Sequence, residues 1–178
     1  MIIFITGTPG TGKTTVSHQL KELLKIELVE VNQLVEDENL YTGYDEEWGY
    51  KVVDIPSLCN SLGDIITSLK GDLLVEGHLS HFCDGADVVV VLRANPYALE
   101  KRLQSKGFKE PKIRENITAE ALDICAYEAY QKYQNKAHEI DTTHKTPQEV
   151  VEMIEQIVMG KKSYPVGEVD FSEFFYSR

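Results

Sequence analysis

Short apolar runs alternate along the chain with segments in which apolar residues recur every three or four positions. The short runs predict strands, which we place at Ile2–Thr6, Glu27–Val31, Asp72–Glu76, Asp87–Leu92 and about His138–Ile140. The helical spacing predicts helices over residues 14–25, 56–69, 96–106, 118–137 and 146–158. Strands alternating with helices favour an α/β fold with a parallel sheet.

The bulk composition fits one domain, which we place at residues 1–160 and which is followed by an aromatic tail at 161–178. The aromatic residues of the tail could pack back on the domain or recruit a partner. The three cysteines, Cys59, Cys83 and Cys125, have no metal-site or redox spacing, so we expect reduced and mostly buried thiols.

The net charge of −11 disfavours strong direct binding to nucleic acid and favours basic partners. No apolar run is long enough to cross a bilayer, and the first residues lack the features of a signal peptide. We therefore expect no membrane association and a cytoplasmic location.

The stretch "GTPGTGKT", from Gly7 to Thr14, follows a predicted strand and leads into a predicted helix. Glycines in that position let backbone N–H groups turn inward around a phosphate, so the stretch predicts a nucleotide-binding loop. We expect Lys13 to contact the β- and γ-phosphates of ATP and Thr14 to ligate Mg²⁺. The predicted cofactor-binding set is Gly10, Thr11, Gly12, Lys13, Thr14 and Thr15, together with the more distant Lys106. A glycine-rich turn without a ligand is the alternative.

A second set of candidates follows the strand "DLLVE". Glu76, at its end, could hold Mg²⁺ through a water molecule or orient an attacking water, and His78 could assist. A solvated strand-end acid and an ordinary loop histidine are the alternatives. A metal site formed by His78, His81 and Cys83 matches no familiar spacing.

The basic segment from Ser105 to Asn116 lacks strong periodicity and carries Lys106 and Arg114. Phosphoryl transfer requires positive charge and exclusion of water, so this segment is a candidate lid, with Arg102 one helical turn before it. A solvated charged loop, and a surface arginine paired with a neighbouring acid, are the alternatives.

The acidic stretch "EDENLYTGYDEEWGY", from Glu36 to Tyr50, carries six carboxylates between aromatic residues. A solvated charge run is one interpretation. A docking surface for a basic protein, which would include Asp45, Glu46 and Glu47, is the other.

Taken together, "ITGTPGTGKTT", "LYTGYDEEWG", "LLVEGH", "VLRANPYALEKRLQSKGF" and "TPQEVVEMIEQI" resemble the adenylate kinase isoenzyme 6 family of nucleoside monophosphate kinases, in its archaeal form. The resemblance implies a five-stranded parallel sheet, a monophosphate-binding segment at about 30–53, a lid at about 105–115, and adenine near 145–147. It also implies phosphoryl transfer between ATP and AMP or a related nucleoside monophosphate, ATP hydrolysis, and binding of a basic small-subunit ribosomal protein on the immature small ribosomal subunit during maturation of the rRNA 3′ end.

Three positions depart from the pattern of that family. Glu76 stands where Asp is usual, while Glu36 and Lys106 stand where relatives carry arginine. Three hypotheses stay open at this point. The chain could be a nucleoside monophosphate kinase with Lys13, Glu76, His78, Arg102 and Arg114 as catalytic candidates, an ATP-hydrolysing assembly factor with little monophosphate kinase activity, or a small-metabolite kinase.

Overall fold

The structure is a computed structural model that describes residues 1–45 and 50–176. The predicted docking residues Glu46 and Glu47 therefore lie outside the described residues, whereas Asp45 lies within them.

Five parallel strands form the central sheet, in the order β2-β5-β1-β6-β7. Their bounds are β1 Ile2–Thr6, β2 Glu27–Glu30, β5 Leu73–Glu76, β6 Val88–Arg93 and β7 Ala137–Asp141. Each lies within a residue or two of a predicted strand, and the predicted α/β class is confirmed. Because all five strands run the same way, their carboxyl ends meet at one edge of the sheet.

Seven α-helices surround the sheet in the described part of the chain. They are α1 Lys13–Leu24, α2 Val31–Asp37, α3 Ile55–Ser68, α4 Pro96–Ser105, α5 Glu110–Ala121, α6 Ile124–Tyr133 and α7 Pro147–Val158. Short 3-10 turns lie at Ser80–Phe82, Gln134–Lys136 and Ser172–Phe175. A capping box opens α7: the side chains of Thr146 and Glu149 each accept a hydrogen bond from the other residue's backbone N–H.

The prediction of a single long helix over residues 118–137 is wrong. The chain forms α5 and α6 instead, with Asp123 between them in the left-handed conformation at φ 57°. The carboxylate of Asp123 accepts a hydrogen bond from Arg93 of β6, which holds the break in place. The predicted lid is also more regular than its sequence indicated, since α5 begins at Glu110 with Pro111 in its first turn.

The described residues of the acidic stretch lie at the end of α2 and in an antiparallel pair of strands, β3 Tyr41–Asp45 and β4 Tyr50–Val53, which we call the hairpin. Glu36 forms an ion pair with Lys51 of this hairpin, whose ammonium also lies 4.4 Å from the centre of the Tyr41 ring. The stretch as quoted contains no cation, but the residue that follows it supplies one.

Two apolar cores lie on opposite faces of the sheet because side chains alternate along each strand. Ile3 and Ile5 of β1 pack with α1 and α7, whereas Phe4 packs with α2, α3 and α6. A smaller core joins α4 and α5 to the tail, where the side chain of Phe174 is only 5% exposed.

The tail packs back on the domain. Its Pro165 bridges to His138 of β7, and the backbone N–H groups of Gly167, Glu168 and Val169 all donate to one carboxylate oxygen of Glu139.

The predicted state of the cysteines is wrong for two of the three. Cys59 of α3 and Cys83 form a disulfide, which a separation of 24 residues in the sequence did not indicate. Cys125 is free, and burial raises the pKa of its thiol to about 11, so it stays protonated at neutral pH.

Candidate active site

The loop from Gly7 to Thr14 connects the carboxyl end of β1 to the first turn of α1. Gly12 precedes the helix in a left-handed conformation at φ 99°, and no side chain caps the first N–H groups of α1. A helix that begins this way presents backbone donors and the positive end of its dipole to an anion.

A glycine is required at position 7 because the backbone of the loop approaches the backbone of β6 closely there. The φ of Gly7 is 130°, and a β-carbon there would lie 2.3 Å from the carbonyl oxygen of Leu92 in β6. The loop is also held internally, since the backbone and side chain of Thr11 donate to the carbonyl of Thr8 at 3.3 and 2.9 Å. Contacts within the chain therefore fix the conformation of this part of the site.

Lys13 lies across the loop with its side chain largely buried. Its ammonium donates to the carbonyl oxygens of Gly7 at 2.8 Å and Thr8 at 3.1 Å. Burial lowers the pKa of Lys13, and the carboxylate of Glu76 partly opposes that change. A poorly solvated ammonium at this position can contact a phosphate oxygen at little additional desolvation cost.

Thr14 and Glu76 come together beside Lys13. The Thr14 hydroxyl lies 3.4 Å from a carboxylate oxygen of Glu76, which is 7% exposed. Burial raises the pKa of Glu76, while the charge of Lys13 opposes the change and that of Glu30 adds to it. Glu30 ends the neighbouring strand β2 in register with Glu76. Sequence reasoning missed Glu30, although an acid at the end of a predicted strand was a signal.

This donor set fits Mg²⁺, which prefers oxygen ligands and usually keeps several waters beside one or two protein groups. The residues that the structure describes contain no group of three or more histidines, cysteines and acids able to hold a metal. Thr14 and Glu76 would therefore hold the ion together with phosphate oxygens and water.

The two histidines after β5 have different surroundings. Burial is the main reason that the pKa of His78 falls to about 4, and the charges of Lys13, His81 and Lys112 lower it further. His78 is therefore neutral at physiological pH. His81 is buried, with one ring nitrogen 2.7 Å from the hydroxyl of Thr6 and the other 3.0 Å from a carboxylate oxygen of Glu128. It ties the end of β1 to α6.

The basic candidates of the lid lie in three different places. The charge of Lys106, at the end of α4, acts on Lys13, which puts it within electrostatic range of the loop. Arg102 donates to the carbonyl oxygens of Thr142 and Thr143 at 3.2 and 3.3 Å, so it supports the segment before α7.

Arg114 is not brought to the loop. Its side chain is 72% exposed and donates to Glu110 at 3.1 Å on the outer face of α5.

A buried ion-pair network supports the loop from behind. Arg93 donates to Glu120 at 2.8 Å and to Glu139 at 2.9 Å, and these three side chains are each about 1% exposed. The other oxygen of Glu120 accepts the hydroxyl of Thr8 in the loop. Sequence reasoning missed this network because its members lie on β6, α5 and β7, far apart in the chain.

Thr142, after β7, is a second support that sequence reasoning missed. Its hydroxyl lies 3.0 Å from the carbonyl oxygen of Thr11. The supports from β6 and β7 lie on one side of β1, and Glu76 of β5 lies on the other. Lys13, Thr14, Glu76 and His78 are thereby gathered at the carboxyl edge of the sheet.

A parallel α/β sheet with this loop at its carboxyl edge defines a P-loop nucleotide-binding protein. Residues 3–123 match the family described as AAA domain. The chain is 41% identical over 171 residues to a protein of Methanothermobacter thermautotrophicus named "Putative adenylate kinase", covering 96% of this chain and 97% of that protein. A protein of the same name from Methanocaldococcus jannaschii is 37% identical, covering 99% and 96%.

The chain therefore belongs to this archaeal adenylate kinase-like family of P-loop proteins, and the resemblance found in the sequence is confirmed.

Solved structures show the same fold. Shikimate kinase from Bacteroides thetaiotaomicron aligns with a TM-score of 0.62 at 17% identity, covering 89% of this chain and 98% of that one. Shikimate kinase from Acinetobacter baumannii, in complex with shikimate, gives 0.60 at 19% identity, covering 90% and 94%. At such low identity the likeness concerns the fold alone.

A search of the described residues for helices long and apolar enough to cross a membrane finds none.

Proposed function

We propose that this protein transfers the terminal phosphoryl group of ATP to a nucleoside monophosphate, with AMP as the first candidate, to give two nucleoside diphosphates. The observation that carries the proposal is the preformed loop, in which an uncapped helix start, Lys13 and the Thr14–Glu76 pair converge. The names of the archaeal relatives support a nucleoside monophosphate as the acceptor.

ATP would bind with its phosphates in the loop, where backbone groups from Gly10 to Thr15 face them. Lys13 would exchange its contacts with loop carbonyls for contacts with β- and γ-phosphate oxygens. Mg²⁺, held by Thr14 and Glu76, would neutralise charge on those oxygens when bound. The adenine base would lie near residues 145–147, on the segment that Arg102 supports.

Catalysis would depend on charge and on exclusion of water. Lys106 brings a cation towards Lys13 from the end of α4, and closure of α5 over the loop would shield the reacting phosphoryl group. Arg114 would contribute only if α5 turned, because in this structure it faces outward.

The acceptor would occupy the segment at about 30–53. There β4 lies close to α5, with the ammonium of Lys112 4.3 Å from the centre of the Tyr50 ring. This contact supports an acceptor segment that lies beside the lid.

A coupled assay of ADP formation tests the proposal. We expect ADP to form much faster when AMP is added to ATP, and we expect Glu76→Gln to reduce that rate. Glu22→Gln, on the exposed side of α1, is the control and should leave the rate unchanged. A rate that does not respond to AMP would contradict the kinase assignment.

ATP hydrolysis is a second candidate activity, favoured by a neutral histidine close to the loop. An unprotonated His78 can accept a hydrogen bond from water, and Glu76 can orient that water. In this case we propose that the ATP state governs binding to a basic small-subunit ribosomal protein on the immature small ribosomal subunit, in the cytoplasm. The net charge of −11 and the acidic stretch support such a partner.

A pull-down with purified basic small-subunit ribosomal proteins tests the partner. We expect capture that decreases when Asp45, Glu46 and Glu47 are replaced together by Asn, Gln and Gln. Capture that is unchanged by this triple substitution would contradict the proposed docking surface.

A further inference from the structure

Asn116 is a buried polar side chain with an unused donor. It lies on α5 with 6% of its surface exposed, and its side-chain amide nitrogen has no hydrogen-bond partner among the described residues. A buried amide that donates to nothing is destabilising, and native proteins rarely keep one. The position therefore requires an explanation that involves something besides this chain.

On α5, Asn116 lies between Glu120, which contacts the phosphate loop, and Lys112, whose ammonium lies 4.3 Å from the centre of the Tyr50 ring. Lys112, Asn116 and Glu120 are spaced by four, so they share one side of α5. Glu120 accepts the hydroxyl of Thr8 in the loop. At the other end of the row, the charge of Lys112 acts on His78. The row thus runs from the contact with Thr8 towards His78, with Asn116 between its ends. In the proposed function the outermost phosphate of a bound nucleotide would lie on this side of the helix.

The neighbouring carboxylate does not satisfy this donor. One oxygen of Glu120 accepts Arg93 at 2.8 Å and the backbone N–H of Ala94 at 3.0 Å, and the other accepts Thr8. A ligand that supplies oxygen acceptors would complete the arrangement, and a phosphoryl group has three of them.

We propose that Asn116 is a nucleotide-binding residue that donates a hydrogen bond to the terminal phosphoryl group of the nucleoside triphosphate. This inference rests on the proposed phosphotransferase function and adds a residue that distinguishes the triphosphate from the diphosphate. After transfer the diphosphate offers no oxygen at that position, so the contact is lost when the product forms.

Binding of two nucleotides, measured by calorimetry with Mg²⁺ present, tests the proposal. The probes are adenylyl imidodiphosphate, which cannot be hydrolysed between its last phosphates, and ADP. Asn116→Leu should weaken binding of the triphosphate analogue by roughly tenfold to a hundredfold, as expected for a lost hydrogen bond to a charged group. Its affinity for ADP should stay within about twofold of the wild type, since that contact is absent.

Thr118→Ala, on the outer face of α5, is the matched control and should change neither affinity. A merely structural role predicts a different pattern, in which Asn116→Leu weakens both nucleotides equally or neither. Either of those results would overturn the proposal. The melting temperature is a second readout: a leucine that replaces an unpaired buried amide should leave it unchanged or raise it.

Asn116→Asp is a second variant, to be measured in the same way if Asn116→Leu does not fold. It has nearly the same shape but places a carboxylate near the phosphate, so the selective loss for the triphosphate analogue should be at least as large. An unchanged ratio of the two affinities in this variant would also overturn the proposal. If the wild type binds neither nucleotide, the proposed function itself fails, and the inference about Asn116 fails with it.

Discussion

The phosphate loop and the hairpin of β3 and β4 are built in opposite ways. The loop is enclosed: Lys13 is 8% exposed, and Glu120, which holds Thr8, is 1% exposed. The hairpin lies outside the sheet, and its aromatic side chains are exposed, with Tyr44 at 61%. Its Glu36–Lys51 ion pair is also open to solvent.

This difference suits the different tasks that we propose for the two regions. The loop needs little rearrangement to bind phosphates, because contacts with Glu120 and Thr142 hold it in shape. The hairpin has few buried contacts to lose, so it can adjust when a second ligand arrives. A preformed donor site beside an adjustable acceptor site suits transfer between two bound substrates.

Removal of the Lys13 ammonium should have the largest effect and tests whether the enclosed region carries the chemistry. We expect Lys13→Ala to lower the rate of phosphoryl transfer by about 10³-fold, the order observed when one preorganised electrostatic donor is lost. A steady-state assay of ADP formation measures it. The melting temperature should change little, because a buried charge is removed together with its two hydrogen bonds. A rate within tenfold of the wild type would contradict this assignment.

Replacement of Glu120 should cost more free energy of unfolding than replacement of an exposed charged residue. Glu120→Gln breaks a fully buried ion pair and should lower the free energy of unfolding by about 3–5 kcal/mol. Urea unfolding measures the change.

Glu115→Gln is its control on the same helix. Glu115 is half exposed in its pair with Lys112, so its loss should cost less than about 1 kcal/mol. Equal losses for the two variants would show that burial does not decide the strength of these pairs.

The burial of His78 should make the stability of the protein decrease as the pH is lowered. Its pKa of about 4 in the folded protein lies below the ordinary value of 6.5, so between these values the unfolded chain binds more protons. His78 therefore reduces stability as the pH falls from 6.5 to 4. In His78→Gln this contribution is absent, and the variant should gain up to about 3 kcal/mol relative to the wild type near pH 4. Urea unfolding at pH 7 and near pH 4 tests this, and parallel losses in both proteins would contradict it.

The smallest effect is expected in the hairpin. Glu36→Gln releases Lys51 from its ion pair, and a free ammonium in the acceptor segment should lower the KM for AMP by about threefold, as fits an exposed pair. The KM for ATP is the internal control and should not change. An unchanged or higher KM for AMP would argue against an acceptor site beside Glu36.

Local patterns were sufficient to predict the sheet and the loop. The strands β1, β5 and β6 are short apolar runs bounded by polar residues, and the glycines of Gly7–Thr14 have a conformational requirement that few other arrangements share. The sequence was informative there because the cause of the structure lies within a few neighbouring residues.

Other features depend on residues far apart in the chain. Asp123 divides a pattern that is helical throughout, and it is held by Arg93, 30 residues earlier. The disulfide joins Cys59 to Cys83 only because α3 packs beside the segment after β5. The donor of Asn116 becomes notable only when its burial and its missing partner are known.

The central claim is transfer of a phosphoryl group from ATP to a nucleoside monophosphate, and the fate of the γ-phosphorus tests it most directly. ATP labelled at that position should be incubated with AMP, Mg²⁺ and the protein, and the products separated by chromatography. We expect the label to pass chiefly into ADP, and we expect Lys13→Ala to slow this transfer by about 10³-fold. Label found only in inorganic phosphate, at the same rate with and without AMP, would contradict phosphoryl transfer to a nucleoside monophosphate.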